Sequence, residues 1–145
     1  ETLNKINEQQ VDLILNKILK VLKSPKNKKV AVFGLSFKPG TDDIRESPSI
    51  KLISKLTKKG FSVHAYDPVV KEIPSIKNLV IEKDIYSAAK GSDAAIFVTD
   101  WPIFKQIEVE LLKKSLKKLY VFDARNMLNP KLMKEQGFKY FGVGR

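Results

Sequence analysis

The hydrophobic pattern holds one period over the first 23 residues of this chain and alternates between two beyond them. Leu3, Ile6, Val11, Ile14, Leu15, Ile18, Leu19 and Leu22 recur three or four residues apart, with Asn, Gln, Lys and Glu between them and no proline before Pro25. That spacing predicts one amphipathic helix over residues 1–23, about 35 Å long and long for a helix serving only a small α/β domain. Residues 24–28 read as a short linker. Beyond them, short apolar runs alternate with helical patterns. Strands are predicted at 29–33, 61–66, 79–82, 94–99, 119–123 and 138–141, and helices at 48–59, 85–90, 109–116 and 130–136. Strands with nearly continuous apolar residues, such as Val30, Ala31, Val32 and Phe33, suit burial on both faces. Residues 29–145 are therefore expected to form an α/β domain: a parallel sheet of five or six strands with helices on both faces, preceded by the long N-terminal helix.

Candidate chemistry gathers in the loop after the first strand. Gly34 breaks the strand, and at the far end Ser47 is placed to cap a helix with its hydroxyl while Pro48 fits the first helical position. A loop at a helix N-terminus offers free N–H groups and the positive end of the helix dipole to an anion. Lys38 and Arg45 lie in it. The string is neither GxGxxG nor a Walker A loop, since five residues separate Gly34 from Gly40 and no lysine follows Gly40. On spacing alone, an anion site and a tight connection with a solvated Lys38 stand equal. Asp67, at the tip of the second strand, is where a dinucleotide-binding unit keeps an acid for a ribose hydroxyl, but the glycine fingerprint that goes with it is missing. His64 has no metal-spaced partner and reads as structural, and Trp101 and Phe104 read as packing residues. Ligands of open α/β sheets collect at the carboxyl ends of strands, which places Lys38 and Arg125 at one crevice. Arginine brings a planar fork suited to phosphate, and lysine a compact charge.

Composition narrows the classes. A chain of 145 residues is one domain's worth, and 43% hydrophobic with 30% charged residues is ordinary for a soluble protein. No apolar run approaches the roughly 20 residues that span a bilayer, and the cytoplasm is the expected compartment. With no cysteine, disulfides, thiolate zinc sites and a cysteine nucleophile are excluded within this stretch. The formal charge is +11, yet of 27 basic residues only Arg45, Arg125 and Arg145 are arginines. Lysine clusters such as Lys26, Lys28 and Lys29, or Lys113, Lys114, Lys117 and Lys118, are scattered over different elements without interleaved aromatics. They favour a solvated surface over a nucleic-acid or membrane partner, although the charge would still draw in a diphosphate.

The string GLSFKPGTDDIRESPS at residues 34–49 resembles the signature that opens the C-terminal domain of the UDP-glucose/GDP-mannose dehydrogenase family. In the family's order follow YDP at 66–68, VTDW at 98–101, FDARN at 122–126 and GFKYFGVGR at 137–145, while INEQQ at 6–10 resembles part of the family's central helix. The resemblance implies a Rossmann-like nucleotide-sugar-binding domain. It implies that Phe37 and Lys38 contact the nucleotide-sugar, that Arg125 is a substrate-binding arginine, and that Arg45 reaches an NAD held mainly by a separate N-terminal domain. Family members oxidise a nucleotide-sugar alcohol to a carboxylate with NAD. That chemistry needs a cysteine, a lysine, an aspartate and a GxGxxG domain, motifs not found here, so no catalytic residue is expected in this stretch. The start at Glu1, without methionine and inside the central helix, adds to the expectation of a fragment. The resemblance further implies homodimer contacts through helix 1–23. The closing GFKYFGVGR points to UDP-glucose as the substrate, with the GDP-mannose branch as the alternative. From a different class, a free-standing basic nucleotide- or nucleic-acid-binding module stays open. A receiver-like signalling domain is weak because VAVFG ends without an acidic cluster.

Overall fold

The computed structural model describes residues 2–143, with side chains from residue 8 onward. Leu3 and Ile6 of the apolar stripe, and Arg145, therefore fall outside the described side chains. The rest of the stripe faces inward. On α1 (Thr2–Leu22), Val11, Ile14, Leu15, Ile18 and Leu22 are buried. They share one hydrophobic cluster with Val30 and Val32 of β1 (Lys29–Phe33) and Leu52, Ile53 and Leu56 of α2 (Pro48–Lys59). The stripe is thus spent on its own domain, and Leu13, 51% exposed, is what α1 turns outward. Ion pairs of Asp12 with Lys55 at 2.8 Å and of Glu8 with Lys51 at 3.9 Å border the α1–α2 seam. Such exposed pairs add little stability, so burial holds the helix down.

Six strands pair in parallel throughout: β1, β2 (Ser62–Tyr66), β3 (Leu79–Ile81), β4 (Ala94–Phe97), β5 (Tyr120–Asp123) and β6 (Lys139–Gly142). Their order is β3-β2-β1-β4-β5-β6. The chain winds outward in both directions from β1, and the switch in direction lies between β1 and β4. Alternation along β1 splits the core in two. Val30 and Val32 face α1 and α2, whereas Ala31 and Phe33 face α3 (Ile85–Ala89), α4 (Val109–Ser115) and α5 (Pro130–Glu135). On that second face Phe33, Phe97 and Phe104 pack with ring centroids 4.8–5.9 Å apart. The expected layers are all present, and the strand run expected to Thr99 ends at Phe97, with Val98 N–H still bonded to Phe33 C=O as the chain leaves the sheet. His64 plays the structural part expected of it, with Nδ1 2.7 Å from Glu82 Oε2. Among the described residues no helix is long and apolar enough to cross a membrane.

One helix cap carries a pH signature. Asp84 precedes α3, and its carboxylate accepts from Ser87 N–H at 2.7 Å and from Ser87 Oγ–H at 2.9 Å. The Ser87 N–H is the main cause of its depressed pKa. A group whose folded pKa is depressed stabilises above its unfolded pKa and ceases to as pH falls through the folded value. Asp84→Ala should therefore cost about 1 kcal/mol in urea unfolding at neutral pH. The gap between the two proteins should close under acid conditions. A gap that persists unchanged below the carboxylate range would refute the role.

Candidate functional site

The β1–α2 loop has two parts with opposite polar economies. Its base, Gly34 to Ser36, is buried and internally bonded. Leu35 N–H and Ser36 N–H both donate to Asp67 Oδ2, at 2.7 and 3.1 Å. Ser47 Oγ–H donates to Leu35 C=O at 2.8 Å, Ser49 Oγ–H to Gly34 C=O, and Thr99 Oγ1–H to Ser36 C=O at 2.8 Å. Ser47 was expected to cap α2, and it does not: its hydroxyl makes no cap bond because loop carbonyls take it as a donor. Gly34 is fixed by its surroundings. At φ +97° a Cβ would stand 2.5 Å from Thr99 Cβ and 2.6 Å from Thr99 N.

Asp67, whose ribose role the missing glycine fingerprint already disfavoured, is engaged within the protein. It is fully buried, and its other oxygen, Oδ1, accepts from Val69 N–H at 2.8 Å and Val70 N–H at 2.9 Å, while Trp101 Nε1–H reaches Oδ2 at 3.2 Å. No lone pair of this carboxylate is turned toward a ribose. It sits instead where a phosphate would meet the Leu35 and Ser36 N–H groups, so the turn's anion site is filled by the protein's own carboxylate. A dinucleotide pyrophosphate does not fit there.

The loop's tip is different. Phe37 is 39% exposed and Lys38 is exposed beside it. Arg45 is held as an outward fork: Nε lies 3.0 Å from Asp43 Oδ1 and Nη2 3.0 Å from Asp43 Oδ2, with the arginine side chain 88% exposed. These bonds lower the Asp43 pKa and raise that of Arg45. Across the same sheet edge, Arg125 stands on the connection after β5, positioned by a second buried carboxylate. Asp123 Oδ1 accepts from Arg125 N–H at 3.2 Å and Met127 N–H at 3.1 Å; Oδ2 accepts from Leu128 N–H at 2.9 Å and Tyr140 Oη–H at 2.8 Å. Asn126, at φ 51°, exchanges two side-chain bonds with the Val143 backbone and ties the connection to the end of β6.

Arg125 borders a narrow crevice with Gln10, Val11, Pro48, Val98 and Ala124, whose free space is about 20 Å³. A nucleotide cannot sink into a space of that size. Lys38 does not line this crevice; it stands above the same edge on the loop tip. A larger apolar pocket of about 240 Å³, lined by Phe104, Ile107, Leu112 and Met133 among others, opens on the opposite sheet face. Arg125 and the loop's cations take no part in it. Sequence reasoning gave no role to Asp100, whose Oδ1 lies 3.8 Å from Arg125 Nη2 and, shielded from solvent, has no hydrogen-bond partner among the described residues. Its only signal was its place in the VTDW string.

A doubly wound parallel sheet with exposed cations gathered at its carboxyl edge defines a nucleotide-binding α/β domain. Residues 31–130 match the UDP binding domain of the UDP-glucose/GDP-mannose dehydrogenase family, and the chain belongs to that family. It is 36% identical over 150 residues to UDP-glucose 6-dehydrogenase TuaD of Bacillus subtilis, a match covering 100% of this chain and 32% of that protein. It is 39% identical over 124 residues to a UDP-glucose 6-dehydrogenase of Pseudomonas aeruginosa, covering 80% of this chain and 27% of the relative. Among solved structures, an NDP-N-acetyl-D-galactosaminuronic acid dehydrogenase from Methanosarcina mazei superposes with a TM-score of 0.81 at 25% identity, over 98% of this chain and 30% of that one. The chain spans about a third of the length of the relatives it matches.

Proposed function

We propose that this chain is the nucleotide-sugar-binding domain of an NAD-dependent UDP-glucose 6-dehydrogenase acting in the cytoplasm. Its substrate is UDP-glucose, oxidised in two steps to UDP-glucuronate. The observation that carries this reading is the contrast within the β1–α2 loop: a fully bonded base holds Phe37 and Lys38 exposed and unspent. Arg125 extends from the same carboxyl edge on its own buried carboxylate. Lysine and arginine so placed bind and orient a diphosphate or sugar hydroxyls by charge-assisted hydrogen bonds, and Phe37 offers an apolar face to the ligand. The chain supplies no thiol, so the reacting cysteine belongs to a preceding domain. NAD belongs there too, because Asp67 fills the turn that would seat it here. Arg45 is directed outward and reaches toward that cofactor. The homodimer uses the outward side of α1, where Leu13 is exposed, since the inward stripe is spent.

Binding measurements divide these roles. A charge-assisted hydrogen bond contributes roughly 1.5–3 kcal/mol, so Lys38→Ala and Arg125→Ala should each weaken UDP-glucose binding about 10-fold to 150-fold in calorimetry. Unfolding midpoints should barely move. Arg45→Ala should leave nucleotide-sugar affinity unchanged and raise the KM for NAD in the complete enzyme. Equal losses for all three variants, or tighter binding of GDP than of UDP, would overturn the assignment.

A further inference from the structure

The lysine clusters that look scattered along the sequence converge in space. All six strands run in parallel, so every connection that leads into a strand arrives at the same edge, opposite the nucleotide site. Exposed lysines mark these arrivals: Lys26 before β1, Lys59 before β2, Lys90 before β4, and Lys117 and Lys118 before β5. The segments that carry them are laced together. Ser62 N–H bonds Lys28 C=O at 3.0 Å, Asp93 N–H bonds Lys29 C=O at 2.6 Å, and Lys117 N–H bonds Ser92 C=O at 2.8 Å. Carboxylates are scarce at this edge. Asp93 is 3% exposed and accepts from Lys29 N–H, and Glu82, half-buried against His64, acts on Lys29, which leaves Glu135 as the exposed acid nearby in the chain's return to β6. None of the five lysines makes an ion pair among the described residues. At the carboxyl edge, by contrast, cations alternate with Asp42, Asp43, Glu46, Glu72, Asp84 and Asp100.

A helix dipole accounts for Lys59, in the last turn of α2. It reaches Lys90 as well, the C-cap of α3, but does not account for Lys26, Lys117 and Lys118, which sit in loops. We infer that this edge is a docking surface for an anionic lipid bilayer. The connections are short, so they form a plane roughly 24 Å across six strands, without the groove that would follow a duplex. The lysines stand without arginine forks or exposed aromatics between them, the means by which proteins grip individual phosphates and bases. The large exposed apolar residues, Leu13, Phe37, Val69, Val80, Ile103, Leu111 and Leu132, lie on other segments, so the contact is electrostatic adhesion without insertion. A flat field of point charges matches the diffuse negative potential of a leaflet. α1 begins at the carboxyl edge, where Gln10 and Val11 border the crevice, so a preceding domain of the kind proposed above joins there and leaves the lysine edge open.

The test is flotation of the protein, in its natural full length, with vesicles of phosphatidylcholine alone and of phosphatidylcholine mixed with phosphatidylglycerol. Binding should require the anionic lipid and fall steeply with salt. Each lysine near such a surface contributes about fivefold, so the combined variant Lys26→Gln, Lys59→Gln, Lys117→Gln and Lys118→Gln should bind several hundred-fold more weakly, as an order of magnitude. A control with the same loss of charge at Lys71, Lys83, Lys105 and Lys131 should retain most of the binding. UDP-glucose affinity should be unaltered by the edge variant, which separates failure here from failure of the proposed function. No flotation with anionic vesicles, equal losses in the control, or tighter binding to duplex DNA than to vesicles at matched phosphate would each overturn the proposal.

Discussion

Asp67→Ala is expected to remove most of the domain's stability. The carboxylate accepts five N–H groups, from Leu35, Ser36, Val69, Val70 and Trp101; it is fully buried, and the bonds from Leu35, Ser36 and Val70 are buried with it. Each donor left without a partner costs about 1–3 kcal/mol, and a domain has about 5–15 kcal/mol in total. Water entering the vacated space recovers part of this, so the variant should range from barely folded to unfolded in urea titrations. Asp67→Asn keeps one oxygen and turns a donor toward other donors, and should fall between the two. A loss below about 1 kcal/mol for the alanine variant would show that these bonds do not hold the loop.

The second large effect is expected at Gly34. An alanine there must keep a left-handed φ of +97° and place its Cβ within 2.6 Å of Thr99 N, which is backbone and has no rotamer to escape into. Strain and overlap together give about 2–6 kcal/mol of destabilisation. Gly40 provides the comparison. Its φ is +86°, but a Cβ there would meet nothing within 4 Å. Gly40→Ala should therefore cost only the strain, about 1–2 kcal/mol. Trimming the Thr99 side chain in the Gly34→Ala background should not restore stability. Equal losses at the two glycines would contradict the close approach of the β1 and β4 loops.

The layers of this fold were legible because periodicity is local. Four consecutive apolar residues from Val30 to Phe33 announce a strand buried on both sides, and the structure buries all four. Polar partners are not local, and there the reading failed. Ser47 meets its acceptor 12 residues back, and Asp67 meets Leu35 and Trp101 across 32 and 34 residues. Spacing along the chain shows that a hydroxyl stands before a helix or an acid ends a strand; it does not show which distant backbone group reaches it first. The lysines teach the same lesson from the other side. Lys26 and Lys117 are far apart in sequence, and only parallel winding brings the starts of β1, β4 and β5 to one edge.

The bond between Trp101 and Asp67 also gives this protein an optical probe. Trp101 is the single tryptophan of the chain, and its indole N–H is donated to the carboxylate that anchors the β1–α2 loop. Its emission colour and quenching therefore report the integrity of that anchor without any label. A variant loosening the loop's base, or a ligand added to test the site proposed at its tip, can be followed in the native protein by fluorescence.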